Sequence, residues 1–190
     1  IKEYENMIDT IKGSDIMIVS TDTPDSRNFS NMTSIETGVP AVFVSLHERA
    51  RTGSVYKVVP GITGCRSCLG DGRWGYEFIP GTKDYSIAED ERDILFQPGL
   101  DTDISLVTLL GVKMAISTML NPDAMVTPDL GTNFLYWNGY PEDNSPMVQI
   151  IEGSGIPKNK DCDICSRTKP MFRSMLGHLI KHLPWGEGNG

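Results

Sequence analysis

Apolar residues recur at positions 1, 4, 8 and 11 of the chain, the spacing of one helix face, and Gly13 supplies a stop just beyond Lys12. The next segment, DIMIVSTD (Asp15–Asp22), is a short apolar run that ends in polar residues, the profile of a buried parallel strand at its carboxyl end. A second helix is predicted from a cap at Asp25 or Ser26 to about Thr37, before Gly38 and Pro40. VPAVFVSL (39–46) and GSVYKVVPG (53–61) read as two further strands. The charged link HERART between them suits an antiparallel pair. Helix, strand, helix, strand is the rhythm of a doubly wound α/β sheet.

Leu69–Gln97 is irregular and rich in Gly, Asp and Glu, and a stretch that long without clear elements is more often functional or mobile than filler. DTDISLVTLLGVKMAISTML (101–120) then predicts a helix of about five turns, capped by Asp101 or Asp103 and ended at Asn121–Pro122. Its all-round apolar character predicts burial. NFLYWNG and MVQIIEG, separated by a Pro/Asp/Asn-rich loop, read as a β-hairpin. Pro170–Leu183 has an amphipathic helical period, and the WGEGNG that closes the chain is expected to fray. The organisation expected is an α/β portion over 1–128, and a second portion over 129–190 with the hairpin and the C-terminal helix.

Composition narrows the function classes. At 190 residues, 39% hydrophobic and 22% charged, the chain has the make-up of an ordinary globular protein. A formal net charge of −8 argues against a nucleic-acid binder, which needs clustered Lys and Arg. No apolar run is read as long enough to span a bilayer, so no membrane partner is expected.

The four cysteines carry the sharpest signal. Cys65 and Cys68 in GCRSCLG, and Cys162 and Cys165 in DCDICS, are two pairs at C-x-x-C spacing with no thiol left over. Two such pairs point to a structural four-thiolate zinc site; paired disulfides or a redox dithiol are the alternatives. Zinc ribbons usually close over about 15–20 residues, whereas here nearly half of the chain lies between Cys68 and Cys162, so the metal would clamp two distant segments. Cysteines at metal spacing also favour a reducing, cytoplasmic setting.

A second signal lies in STDTPDSRN (Ser20–Asn28), at the carboxyl end of the first predicted strand, where open α/β sheets bind their ligands. Asp22 is placed there to hold a magnesium ion bound to phosphates, or to serve as a plain turn former. His178 and His182, one helical turn apart, lack a third ligand and read as a solvated or core-edge pair. His47, Glu48 and Arg49 open a charged connection, with Arg49 or Arg51 as possible pocket-lining residues. The acidic run AEDERD (88–93) reads as a solvated face or as a surface for a basic partner. Trp74, Trp137 and Trp185 read as core, hairpin or interface residues.

Taken in order, IVSTDTPDSRN, VPAVFVS, GSVYKVVPG, CRSCL, the apolar helix and the second C-x-x-C resemble the carboxyl-terminal half of a ThiF/MoeB-type domain. That is the Rossmann-like adenylating fold of ubiquitin-activating enzymes and of sulfur-carrier activation. The resemblance spans about Asp15–Cys165. Thr21, Asp22, Arg27 and Asn28 match the family's T-D-N-x-x-x-R-N segment, with Thr23 in place of the usual Asn. The resemblance implies a crossover loop before the buried helix and a structural zinc held by Cys65, Cys68, Cys162 and Cys165. It also implies Asp22 as the Mg-ATP aspartate, with Arg27 and Asn28 beside the nucleotide or shaping the helix start. The implied activity is ATP-dependent adenylation of the C-terminal carboxylate of a ubiquitin-like or sulfur-carrier β-grasp protein, by a dimer with another ThiF-type domain. The alternative is a non-catalytic, zinc-stabilised partner or scaffold.

Two departures stand out. The family's G-x-G-G-x-G loop is absent from these residues, and GSGIPK (153–158) lies in the wrong context to replace it. The loop before the apolar helix, DILFQPGL (93–100), offers no Cys, Ser or Thr to accept an acyl group. Thioester formation by this segment is therefore not expected.

Overall fold

The computed structural model describes residues 2–47, 50–70, 99–120, 132–139 and 150–166. Among them are α1 (Lys2–Lys12), β1 (Met17–Val19), α2 (Pro24–Thr37), β2 (Ala41–Leu46), β3 (Thr52–Val58) and the short α3 (Arg66–Gly70). The long α4 (Asp101–Met119), β4 (Phe134–Asn138) and β5 (Ile150–Ser154) follow. The strands form one mixed sheet in the order β1-β2-β3-β4-β5. β1 runs parallel to β2, with α2 as the crossover such a pair requires, and the remaining neighbours are antiparallel. The expected antiparallel third strand and the expected hairpin are both present.

Strand alternation assigns each residue to a face. Val19, Ala41, Phe43, Tyr56, Val58 and Phe134 pack with the four cysteines, and Ile35 of α2 joins them. Val42, Val55, Leu135 and Trp137 point the other way, onto Val107, Met114 and Ala115 of α4. The sheet thus separates a cysteine face from a helix face, each with its own core. Phe43 and Tyr56, opposite each other in the β2–β3 register, stack with ring centroids 4.6 Å apart. Trp137 is core, as one of the sequence readings had it.

Two helix starts differ from expectation. Thr23 caps α2, with extended backbone and its Oγ1 accepting the Ser26 N–H at 3.2 Å. Pro24 fixes this: proline is accommodated at the first helical position and not deeper, so the cap falls one residue before it. α4 is preceded by Leu100 and has no side-chain cap; Asp101 and Asp103 lie inside its first turn, where carboxylates favour the helix dipole instead.

α4 is also less buried than its composition predicts. Val107, Gly111, Met114 and Ala115 face the sheet, while Leu109 is 65% exposed and Val112, Ile116 and Met119 are exposed as well. Its close seating depends on Gly111, where a Cβ would lie 2.5 Å from a Val44 methyl. By length and composition this helix is long and apolar enough to cross a membrane, contrary to the sequence reading; here it lies against β2 and β3.

The irregular stretch 71–98, the C-terminal helix and tail, Glu48, Arg49, AEDERD, Trp74, Trp185, His178 and His182 lie outside the described residues.

Candidate metal centre and the adjoining polar cluster

The two cysteine pairs arrive from different strands of the sheet, one from the central strand and one from an edge strand. Cys65 and Cys68 follow β3 and bracket the first turn of α3, while Cys162 and Cys165 follow β5 in a turn-rich segment. Two devices join these segments. The Gly64 N–H donates to the Ile156 carbonyl at 2.9 Å, and a Cβ on Gly64 would lie 2.6 Å from the Pro157 carbonyl oxygen, so only glycine lets the chains approach. Buried Asn133, at the start of β4, accepts the Ile156 N–H on Oδ1 at 2.6 Å and donates from Nδ2 to the Ile156 carbonyl at 3.0 Å. Its own carbonyl accepts the Lys57 N–H at 2.8 Å, which ties the clamp to β3.

The result is a buried tetrad of free cysteines whose sulfurs all lie within 4.8 Å of one another. Sγ–Sγ separations are 3.9 Å for Cys65–Cys68, 3.6 Å for Cys65–Cys162 and 3.5 Å for Cys68–Cys165. A tetrahedron with metal–sulfur bonds of about 2.3 Å has edges of about 3.8 Å, so the spacing fits four ligands around one ion. Bonded sulfurs would be about 2.05 Å apart, and the disulfide alternative finds no pair at that distance. A redox dithiol would leave the second pair, fully enclosed with the first, without a purpose.

The thiols' own electrostatics fit the same donor set. Burial pushes the Cys65 thiol up to about 11, against the Cys68 backbone N–H, which favours its thiolate. Burial and the nearby Cys65 also push Cys165 up. Burial acts on Cys162 in the same sense, but hydrogen bonds from the N–H groups of Cys165 and Ile164 and from the Cys68 and Cys165 side chains together outweigh it and hold this thiol below its ordinary value. Four sulfurs this close cannot all ionise without a cation; a bound divalent metal relieves that penalty and releases their protons.

The strand-end residues stand beside this centre. Asp22 is exposed just past the end of β1 and one residue before the α2 cap. Arg27, in the first turn of α2, donates its Nε–H to the Thr21 carbonyl at 2.6 Å, so its guanidinium is folded back toward the strand end. Asn28 accepts from an Arg66 guanidinium nitrogen at 2.5 Å, and Asn31 Oδ1 accepts the Arg66 backbone N–H at 2.9 Å. Arg27 and Asn28 are thus brought together with the cysteine segment, through Arg66. Burial, and after it the charge of Arg66, lowers the Arg27 pKa, while Tyr56 and Asp22 oppose the shift. Burial raises Tyr56 well above the ordinary phenol value, although both arginines pull against it. Arg66 acts on the Tyr56 hydroxyl from close by, yet no donor or acceptor meets that buried oxygen at hydrogen-bond geometry. His47 Nδ1 is likewise buried without a hydrogen bond, and burial followed by the Arg27 charge lowers this imidazole's pKa.

Arg66, Asn31 and Tyr56 were not singled out from the sequence. Arg66 sits inside a motif read for its cysteines alone, and Asn31 lies one helical turn beyond Asn28, which places both on one side of α2. Tyr56 reads as an ordinary strand residue. Arg51, an expected pocket residue, is exposed at the start of β3.

No family model matches the chain, and no curated protein does. Among solved structures, E. coli MccB with ATP superposes over 88% of this chain with a TM-score of 0.53 at 17% identity, covering 44% of MccB. E. coli MccB with MccA gives a TM-score of 0.53 at 18% identity, over 80% of this chain and 40% of MccB. A heterocyclase in complex with substrate and cofactor gives 0.52 at 15% identity, over 87% of this chain and 23% of that one. The chain therefore spans less than half the length of the proteins it matches. What it carries is part of the ThiF-type fold, with a four-cysteine cluster on one face of its sheet.

Proposed function

We propose that this chain is part of an ATP-dependent activating enzyme that adenylates the C-terminal carboxylate of a ubiquitin-like or sulfur-carrier protein, with a structural zinc at Cys65, Cys68, Cys162 and Cys165. The observation that carries the reading is Asp22: an exposed carboxylate just past β1, beside the half-buried Arg27, in a ThiF-type fold related to an enzyme solved with ATP. In the reaction the carboxylate attacks the α-phosphate and pyrophosphate departs. Asp22 would hold the magnesium ion bound to the nucleotide, and positioning and charge neutralisation would supply most of the rate. Four thiolates leave the zinc no open position, so it would supply folding energy and take no part in the chemistry.

The test is ATP–pyrophosphate exchange in the full-length protein. Asp22→Ala should lower exchange by about 100-fold, a loss typical of removing a group that stabilises transition-state charge, while metal content stays at one per chain. Unchanged exchange would remove Asp22 from the mechanism. The 190-residue chain alone should bind ATP weakly at most, because it contains no glycine-rich phosphate loop. Missing loop and missing acceptor thiol together favour a second reading, a non-catalytic ThiF-like partner. That reading gains if the full-length protein neither binds ATP nor exchanges pyrophosphate.

A further inference from the structure

Arg27 and Arg66 are far apart in the chain, yet the Arg66 guanidinium bonds Asn28, the residue next to Arg27 on α2, and the charges of both arginines act on the buried Tyr56 hydroxyl. Arg27 feels the charge of Arg66. Among the described residues the ion pair found is Lys12–Asp9, so neither arginine has a carboxylate within ion-pair distance. Asp22 acts on Arg27 only from farther away. Each guanidinium is instead steered by a neutral acceptor: Thr21 carbonyl for Arg27, Asn28 Oδ1 for Arg66. Two neighbouring cations, partly withdrawn from water and with only Asp22 acting on one of them from a distance among the described residues, repel each other unless an anion joins them. Beside them lie two buried polar atoms that meet no partner at full hydrogen-bond geometry, the Tyr56 hydroxyl, which Arg66 approaches closely, and His47 Nδ1, with Tyr56 only 5% exposed. Unsatisfied groups of this kind are rare in folded proteins and call for an explanation; Thr33 Oγ1 and Trp137 Nε1 are two others among the described residues, and what sets Tyr56 and His47 apart is the positive charge beside them.

We propose that Arg27, Arg66 and the Tyr56 hydroxyl form an oxyanion-binding site on the cysteine face of the sheet, and that the metal centre sets this site by fixing Arg66. The ligand chemistry is a carboxylate or phosphate group, since planar guanidinium forks bind both through paired N–H donors. The coupling follows from covalent position. Arg66 lies between Cys65 and Cys68, so its backbone has one placement when both sulfurs hold the metal. Asn31 on its N–H and Asn28 on its guanidinium then aim the side chain at Arg27 and Tyr56. With the metal gone, the cysteine loop is free to move, and one of the two cations leaves the site. That this oxyanion is a substrate's carboxylate or a nucleotide's phosphate rests on the adenylation reading; the arginine pair and its dependence on the metal do not.

The test is NMR of the arginine Nε–H signals in the metal-loaded full-length protein, titrated with inorganic phosphate and separately with acetate, against sodium chloride at equal ionic strength. Saturable shifts of both Arg27 and Arg66 with either oxyanion, absent with chloride, are expected. Tighter acetate binding assigns a carboxylate, and tighter phosphate binding a phosphate group. Arg66→Gln, with metal content unchanged, should weaken binding at Arg27 by at least about tenfold, the loss of one charge-assisted contact. Asn28→Ala, which leaves both charges and the metal in place, should weaken it less. Partial chelation should lower the fraction of protein that binds in step with metal content, and refilling should restore it. Absence of saturable shifts, full binding by Arg66→Gln, or equal binding by folded metal-free protein would overturn the inference. These readouts contain no ATP, so a failure of pyrophosphate exchange leaves them intact, and their failure leaves exchange to be judged separately.

Discussion

The two faces of the sheet are built from alternate residues of the same strands, yet they are held together by different physics. On the helix face Val42, Val55, Leu135 and Trp137 meet Val107, Met114 and Ala115, and shape and apolar burial do the holding. On the cysteine face the apolar layer of Phe43, Tyr56, Val58 and Phe134 is joined by a metal-sized tetrad, an asparagine clamp and an arginine pair. One residue's step along β2, from Val42 to Phe43, crosses from packing to chemistry. The lesson is that the two faces should fail differently, one through loss of a ligand or a hydrogen bond, the other through volume.

The largest separation is expected from the metal centre. Cys162→Ser removes one of the four sulfurs proposed as ligands and leaves the segment after β5 to lean on the Asn133 and Gly64 hydrogen bonds and the packing of Ile156. Metal content should fall from one per chain to near zero, and stability by about 3 kcal/mol or more. Metal analysis and urea denaturation measure the two effects. Retention of stoichiometric metal would show that the tetrad is not the binding site.

On the opposite face the probe is Gly111→Leu. A Cβ there already meets Val44, so the larger side chain must lever α4 away from β2. Overpacking costs about 1–3 kcal/mol, of which the better helix propensity returns at most about 1 kcal/mol. The variant should be less stable but keep its full metal content. Parallel loss of metal would mean that the faces are not independent.

Asn133→Ala should cost less stability than the loss of the metal and still move metal affinity. It strands the buried N–H of Ile156, whose carbonyl keeps the Gly64 N–H, for about 1–3 kcal/mol. It also loosens the tie between the two cysteine segments. Supporting groups around metal ligands are worth about 10- to 100-fold in affinity, and competition with a chromogenic chelator should show a loss in that range. Unchanged affinity would confine Asn133 to folding.

The same division explains what could be read from the sequence. Strand alternation and the paired C-x-x-C spacing are local patterns, and they placed β2, β3, the hairpin and the four cysteines that cluster. The start of α2 was misplaced because Asp25 and Ser26 are good caps in isolation, and the constraint that decides the matter is Pro24. α4 was read as buried all round because composition reports how apolar a helix is and not how many of its faces find a partner. Arg66 was missed for a different reason. Its role depends on Asn28 and Asn31 being folded against it, and no period in the chain links position 66 to positions 28 and 31. Asp22 was legible as a strand-end carboxylate, whereas the arginine pair behind it was visible only in three dimensions.

The smallest expected effect tests whether the cysteine face is polar at a cost. His47 lies just past β2, its Nδ1 buried without a hydrogen bond, its ring 6.5 Å from that of Tyr136. Burial, and then the Arg27 charge, lowers its pKa in the folded state below the ordinary imidazole value of about 6.5. The unfolded chain therefore takes up a proton at His47 at a higher pH than the folded chain does. Where the unfolded state binds more protons, stability rises with pH. The contribution is thus fully present above about pH 6.5, the unfolded value, and is lost as pH falls through the lower folded value. Replacing the imidazole by a group that does not titrate, as in His47→Gln, should remove this part of the slope while leaving that of the carboxylates. Urea midpoints at pH 7.5 and 5.5, compared between wild type and variant at equal metal content, measure it. The wild type should lose more stability than His47→Gln over that interval. Identical slopes would mean that His47 is as free to protonate in the folded protein as in the unfolded chain, and that the cysteine face beside Arg27 does not exclude a third positive charge.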